Sequence, residues 1–134
     1  MGGKLYTVRK KDLLYPELSF TINGILFDIA KTLGGGHKEK YYQSAIAMGL
    51  KNKGVKFREQ VHVPLTYLNQ KVGAYFLDFL IDDTIVLELK RGEFISTSII
   101  QQTMQYLTAL KLRLGILACF THGGVVIKRV ANEN

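Results

Sequence analysis

Three ionisable side chains interrupt two otherwise apolar segments in the second half of the chain. Asp78 lies within residues 73–81, and Glu88 and Lys90 lie within residues 84–90. A carboxylate in apolar surroundings is costly unless it is ion-paired, hydrogen-bonded or bound to a metal. If both segments are strands, successive side chains point to opposite faces, so Glu88 and Lys90 share one face.

The loop between the two segments decides whether Asp78 reaches that face. A loop of three residues pairs Ile81 with Ile85 and places Asp78 opposite Glu88. A loop of two residues would separate the two carboxylates unless a bulge intervened. We predict the three-residue loop.

The predicted pairing of Asp78 with Glu88 brings together two negative charges, which repel unless a cation lies between them. Oxygen ligands from few side chains, with coordination positions left open, suit Mg²⁺ or Mn²⁺. Such an ion polarises a phosphoryl oxygen and lowers the pKa of a bound water. Lys90 would orient that water or stabilise charge on the phosphate. The spacing is equally compatible with a structural ion pair between Lys90 and either carboxylate.

A helix predicted over residues 37–53 adds another acid. Glu39 lies three and seven residues before Tyr42 and Ile46, so it belongs to the apolar stripe of this helix. A carboxylate at this place is also typical of an ordinary helix N-terminus.

A helix predicted over residues 98–110 adds an amide and a phenol. Ser98 and Gln101 have capping-box spacing at its start. Gln102 and Tyr106 share the apolar face of this helix and should point inward. Each alone is typical of a satisfied core polar group, but together they converge on the predicted carboxylate hairpin.

The remaining pattern predicts the elements that position these groups, in the order ααβββαββ. Glycines 34–36 end a first helix over residues 16–33. The first strand carries a charge on its apolar side at Glu59, which indicates a break there. The predicted strands are 55–67, 73–81, 84–90, 113–120 and 125–131. Runs of strands with one inserted helix indicate an α+β or mixed α/β fold.

Charge is unevenly distributed along the chain. The 134 residues carry 18 basic and 11 acidic groups, a net charge of +7. Residues 1–60 hold 11 of the basic and 5 of the acidic groups. This asymmetry suits a polyanionic partner such as nucleic acid, although a basic surface also serves solubility.

Length and composition exclude several classes of protein. One cysteine excludes an internal disulfide and zinc fingers. Apolar stretches are too short to cross a membrane, and the N-terminus lacks an apolar signal region, so we expect a cytoplasmic protein with no membrane partner. We predict a single domain over residues 1–134, in which the basic residues 1–12 are a candidate mobile segment.

Three motifs resemble those of one family. Residues 36–42 read G-x-x-E-x-x-Y, Asp78 with residues 88–90 reads D-(x)-E-x-K, and residues 102–106 read Q-x-x-x-Y. Their order and spacing resemble the GxxExxY proteins, which belong to the PD-(D/E)XK nuclease-like superfamily. The resemblance covers roughly residues 13–130, nearly the whole chain.

The resemblance implies a restriction-endonuclease-like αβββαβ core, with a central mixed sheet flanked by helices and an extra N-terminal helix. Asp78, Glu88 and the backbone carbonyl of Leu89 would hold Mg²⁺ or Mn²⁺. Glu39 would complete the metal site directly or through water.

The resemblance also implies hydrolysis of nucleic-acid phosphodiester bonds, with DNA as the expected substrate. Lys90 would serve the nucleophilic water, and Gln102 and Tyr106 would support the active site or contact DNA. A non-catalytic nucleic-acid-binding module with the same fold is the alternative, and a partner-binding protein is a third. A chain of this size offers little surface to a DNA duplex, which leaves a homodimer open.

Overall fold

Eight elements make up residues 14–133, the part of the chain that the computed structural model describes. In chain order they are α1 (Pro16–Leu33), α2 (Glu39–Asn52), β1 (Phe57–Tyr67), β2 (Gln70–Ile81), β3 (Ile85–Lys90), α3 (Thr97–Leu110), β4 (Leu114–Thr121) and β5 (Gly124–Ala131). Their types and order agree with the sequence pattern. The predicted mobile segment, residues 1–12, lies outside the described residues.

The five strands form one mixed sheet in the order β1-β2-β3-β4-β5. β3 and β4 are parallel, and the other neighbouring strands are antiparallel. Helix α3 connects β3 to β4, as a parallel pair requires. The sheet, with helices on its faces, confirms the predicted mixed α/β fold.

Both faces of the sheet are covered by helices. On one face, α1 and α2 pack over a core that includes Phe79 and Leu87. On the other, α3 contributes Leu107 to a second core with Val86 and Leu117. The central strands are buried on both sides, which explains their near-continuous apolar sequences. Within the described part of the chain, no helix is long and apolar enough to span a membrane.

The glycines 34–36 end α1 and set the place where α2 begins. Gly34 and Gly36 have φ angles of +72° and +87°, which favour glycine. A Cβ on Gly35 would lie 2.5 Å from the backbone oxygen of Thr121, so this loop runs directly against the end of β4. The predicted helix break is confirmed, and it brings Glu39 to the edge of the sheet where β3 and β4 end.

The start of α3 differs from the capping box predicted at Ser98. Ser96, whose backbone is extended, is the N-cap, and its hydroxyl accepts a hydrogen bond from the Ile99 N–H at 3.3 Å. Ser98 lies within the first turn, with its hydroxyl 3.1 Å from that of Ser96. The prediction is wrong because the cap must precede the helical backbone, and Ser96 occupies that position.

Candidate active site

The turn between β2 and β3 has the predicted length. Ile81 pairs with Ile85, so the loop consists of three residues, 82–84. The Thr84 N–H closes it by donating to the Ile81 carbonyl at 3.0 Å. This register brings Asp78 level with Glu88, on neighbouring strands.

Hydrogen bonds tie Asp78 to Glu88 and to Leu89 at the point where regular pairing of β2 with β3 ends. The Asp78 N–H donates to Glu88 Oε2 at 2.7 Å. The Leu89 N–H donates to Asp78 Oδ2 at 2.8 Å. Side chains thus replace the strand ladder, and each carboxylate is fixed through one oxygen.

In β1 and β2, the side chains switch the face of the sheet to which they point. This switch explains why the pairing of β2 with β3 ends at Asp78. Phe57 and Phe79 contribute to the core beneath α1 and α2, whereas Val61 and Leu77 contribute to the core beneath α3. The alternation of side chains between the two faces of the sheet therefore reverses at Gln60 in β1 and at Asp78 in β2. Gln60 has a φ of +50°, which is rare for a residue with a side chain. β1 is continuous through Glu59, so the predicted strand break is not found; the irregularity is the reversal of facing at Gln60, one residue later.

Gln60 also contacts the carboxylate opposite it. Its Nε2 lies 3.5 Å from Asp78 Oδ1, the oxygen that the Leu89 N–H does not occupy. The sequence pattern indicated the irregularity in β1 but gave no sign of this contact. Gln60 therefore helps to orient the Asp78 side chain.

Glu88 is the most deeply buried carboxylate among residues 14–133. Its side chain is 3% exposed, and its Oε1 lies 3.6 Å from Lys90 Nζ. Burial, followed by the negative charge of Asp78, raises the pKa of Glu88 to about 7, although Lys90 opposes the shift. Burial also raises the pKa of Asp78, against the lowering effects of the Leu89 N–H and Lys90. Lys90 therefore does not offset the effects of burial and of mutual repulsion on Asp78 and Glu88.

Glu39 is exposed at the first residue of α2, so the inward position predicted from the helical period is wrong: the packed stripe begins one turn later, at Tyr42. Glu39 lines a pocket of about 150 Å³ together with Leu89, Lys90 and Arg91, and neither Asp78 nor Glu88 is among the lining residues. Burial, followed by the charge of Asp78, raises the pKa of Glu39, and the two basic residues lower it. Within residues 14–133, no three His, Cys, Asp or Glu side chains are close enough to form a ready-made metal-ligand cluster. The structure therefore brings Asp78 and Glu88 together and leaves Glu39 beside them.

The rest of the G-x-x-E-x-x-Y motif fixes the place of Glu39. The Tyr42 hydroxyl donates to the Gly34 carbonyl at 2.6 Å and accepts from the His37 N–H at 3.3 Å. Its ring stacks on Phe120 of β4, with ring centroids 4.2 Å apart. Tyr42 thus ties the loop before α2 to the sheet, so its role in this structure is to position the helix.

Gln43, which the motifs did not single out, ties α2 to the strands. It lies one turn after Glu39, and its Nε2 donates to the Asp78 carbonyl at 3.3 Å and to Glu59 Oε1 at 3.2 Å. The spacing of four residues from Glu39 could have indicated a shared helical face. Gln43 holds the backbone of Asp78 against α2.

Tyr106 and Gln102 lie on α3, which covers the opposite face. Tyr106 is buried, with its ring 5.4 Å from that of Tyr75. Burial, then the charge of Glu88, raises the pKa of Tyr106, so its phenol is close to the carboxylate pair. Gln102 is half-buried one turn earlier. In the described part of the chain, no hydrogen bond of the Gln102 side chain joins it to the carboxylates.

The chemistry of the donors fits a hard divalent cation. Asp78 and Glu88 provide carboxylate oxygens, and the Leu89 carbonyl would complete an all-oxygen set of the type that Mg²⁺ and Mn²⁺ prefer. One oxygen of each carboxylate is bound to a backbone N–H, which leaves the other with lone pairs for a ligand bond. A cation there would also offset the repulsion that raises the pKa of Glu88.

Comparisons with known proteins agree with this fold. No curated protein matches the chain. The crystal structure of SSO0001 resembles it with a TM-score of 0.52 and 18% sequence identity, over 90% of this chain and 59% of that one. The chain thus spans less than two thirds of that structure, and at this identity the likeness concerns the fold alone.

A family model gives the assignment. The model described as the PD-(D/E)XK nuclease superfamily matches residues 16–130, most of the chain. The five-stranded mixed sheet flanked by helices is consistent with the restriction-endonuclease-like fold that the motifs implied. The protein belongs to the PD-(D/E)XK nuclease superfamily.

Proposed function

We propose that the protein is a metal-dependent nuclease of the GxxExxY group, which hydrolyses phosphodiester bonds of nucleic acid, with DNA as the substrate. Residues 1–134 would act as one domain, in the cytoplasm. The observation that carries the proposal is the hydrogen bonding of Asp78 to Glu88 and to the Leu89 N–H, beside Lys90. This arrangement concentrates two acids and an amine at one opening in the sheet.

The residues that would hold Mg²⁺ or Mn²⁺ are Asp78, Glu88 and the carbonyl of Leu89, with Glu39 contributing directly or through water. A divalent cation there supplies Lewis-acid chemistry, because it polarises the phosphoryl oxygen and makes water more acidic. The remaining chemistry belongs to the chain itself. Burial and the charge of Asp78 raise the pKa of Glu39, and this interaction with Asp78 supports a role next to the carboxylate pair.

Lys90 is the residue placed to handle the nucleophile. Its Nζ lies near Glu88 Oε1, and its side chain is 24% exposed, so it reaches both the carboxylate and solvent. The ammonium would donate a hydrogen bond to the attacking water and stabilise charge that develops on the phosphate. As the new P–O bond forms, the attacking water releases a proton to solvent, the opposite P–O bond breaks, and the leaving oxygen takes a proton from solvent.

Gln43 and Gln60 act on this chemistry indirectly, through Asp78. Gln60 and Gln43 hold the carboxylate and the carbonyl of Asp78, so we assign them as positioning residues. Tyr106 and Gln102 would support the site from α3 or contact the substrate. Burial of Tyr106 beside the carboxylates favours a supporting role.

The test is DNA cleavage with and without Mg²⁺ or Mn²⁺. We expect plasmid, linear duplex or single-stranded DNA to be cut by the wild type, and the rate to fall at least about a hundredfold in Asp78→Asn and Lys90→Ala. Asp83→Asn is the matched control, because Asp83 is an exposed carboxylate of the same hairpin that pairs with Lys56 and Arg58. Its activity should equal that of the wild type.

Two results would contradict the proposal. Metal-dependent cleavage that persists in Asp78→Asn would place the chemistry elsewhere or in a contaminant. Salt-sensitive nucleic-acid binding without cleavage under any metal would instead identify the non-catalytic binding module.

A further inference from the structure

β1 and β2 continue past the carboxylates as a two-stranded ribbon, residues 61–77. Its register runs unchanged past Gln60 and Asp78 as far as Leu65 and shifts between Leu65 and Thr66. Val61 lies opposite Leu77, and Val63 lies opposite Tyr75. These four residues belong to the core beneath α3. One face of the ribbon is therefore occupied by α3, and the intervening residues point to the other side.

That other face is apolar although it is open to solvent. His62 pairs with Phe76, and Pro64 pairs with Ala74. We refer to these four residues as the outer strip. Phe76 is 57% exposed, and its ring lies 5.4 Å from that of His62, at an angle of 53°. A solvent-facing strand surface normally carries polar or charged side chains, and none of the four has a permanent charge.

The outer strip begins at the candidate active site and lies on the side of α2. Phe76 precedes Asp78 by two residues, which corresponds to about 7 Å along a strand. Helix α2 covers the face opposite to α3, and its Gln43 contacts the Asp78 carbonyl. Glu39 begins the same helix. Phe76 thus lies two residues from Asp78, on the face of the sheet that α2 covers.

We propose that Phe76, with His62 beside it, stacks an unpaired nucleobase next to the phosphate that is cut. This rests on the proposed function and narrows its substrate to nucleic acid with unpaired bases: single strands, flaps or frayed ends. Aromatic side chains stack on bases of any sequence, whereas in an intact duplex the base faces are already covered by their neighbours. The outer strip therefore distinguishes single-stranded from double-stranded nucleic acid and does not distinguish base sequences.

The absence of tryptophan from the chain makes stacking directly observable. Phe76→Trp introduces a single indole, whose emission should be quenched when the protein binds a 12-nucleotide oligothymidine in EDTA. Phe27→Trp is the matched control, because Phe27 on α1 is also 57% exposed. Its emission should not change.

Alanine variants give the energetic part of the test. Phe76→Ala should weaken oligothymidine binding by about fivefold or more, while Phe27→Ala should stay within about twofold of the wild type. A blunt 12-base-pair duplex should bind the wild type less tightly than the single strand. Circular dichroism checks that each variant is folded, and if Phe76→Ala is not, the Phe76→Trp result decides.

Several outcomes would overturn the inference. They are unchanged emission of Phe76→Trp at saturating oligothymidine, unaltered affinity of Phe76→Ala, tighter binding of duplex, or no binding of the single strand. An emission shift of Phe76→Trp that depends on protein concentration without DNA would show that a second copy covers the strip, and would also refute it. Quenching without cleavage by the wild type would refute only the nuclease activity, because binding in EDTA requires no catalysis.

Discussion

The burial of Glu88 beside Asp78 should cost the metal-free protein stability at neutral pH, and Glu88→Gln should restore it. Glutamine has the same shape and cannot ionise, and its side-chain oxygen can still accept the hydrogen bond that the Asp78 N–H donates to Glu88. Lys90 would lose its partner but is exposed enough to be hydrated. The substitution therefore removes the charge and keeps the packing.

The magnitude follows from the pKa of Glu88, which burial and the charge of Asp78 raise from 4.5 to about 7. This difference corresponds to about 3 kcal/mol between the two protonation states. The folded protein binds the proton more tightly than the unfolded chain, so the stabilising effect is complete below pH 4.5. It is lost as pH rises towards 7, by up to about 1.4 kcal/mol per pH unit. Asp78, whose pKa is also raised, adds to the effect in the same direction.

Urea unfolding followed by circular dichroism between pH 5 and 8, in EDTA, measures this effect. The wild type should lose stability across the range, and Glu88→Gln should lose much less. Asp83→Asn is the control, because hydrogen bonding to Lys56 lowers the pKa of Asp83. Its contribution changes only at lower pH, so its profile should run parallel to that of the wild type. Parallel profiles for the wild type and Glu88→Gln would refute the reasoning.

Three further predictions concern the metal, the support of Asp78 and the glycine loop. Calorimetry at pH 6.5 should show that Mn²⁺ binding releases protons and weakens at least about tenfold in Glu88→Gln; equal affinities would contradict this. Gln43→Ala should destabilise the fold by about 1 kcal/mol in urea and lower kcat while KM is unchanged, and an unaltered kcat would make Gln43 merely structural. Gly35→Ala should destabilise by about 1–3 kcal/mol, because its Cβ meets the backbone of the β4–β5 hairpin. Gly24→Ala, with nothing within 4 Å, should be neutral or stabilising by up to about 1 kcal/mol, so equal effects at both glycines would contradict the clash.

Patterns within single elements predicted much of this structure. The two-residue period of the strands, together with the loop before Ile85, was enough to place Asp78 level with Glu88. The helical period put Tyr106 on an inward face, where it is buried. These predictions succeeded because burial of one face determines periodicity, which a sequence displays directly. The same period wrongly put Glu39 inward, since the packed stripe of α2 begins one turn later, at Tyr42.

Contacts between elements could not be predicted in this way. The reversal of facing at Gln60, and the hydrogen bond from Gln43 to the Asp78 carbonyl, depend on how β1, β2 and α2 meet. A charge on the apolar side of β1 indicated that something changes there, but not which atoms compensate. Ser96 shows the same limit, since the sequence offered capping-box spacing only at Ser98 and the path of the backbone made Ser96 the N-cap.

The electrostatics of the carboxylates bear on the choice between a structural ion pair and a functional site. In an ion pair that stabilises the fold, the lysine would lower the pKa of its partner. Here burial and Asp78 outweigh Lys90, and the pKa of Glu88 is raised to about 7. The strand ladder also gives way to side-chain hydrogen bonds at the same place. The raised pKa of Glu88 reduces stability at neutral pH, and a fold that needed only a core would gain by replacing Asp78 or Glu88 with an apolar residue. The presence of this costly pair on a nuclease-superfamily fold therefore favours a functional site over a structural ion pair.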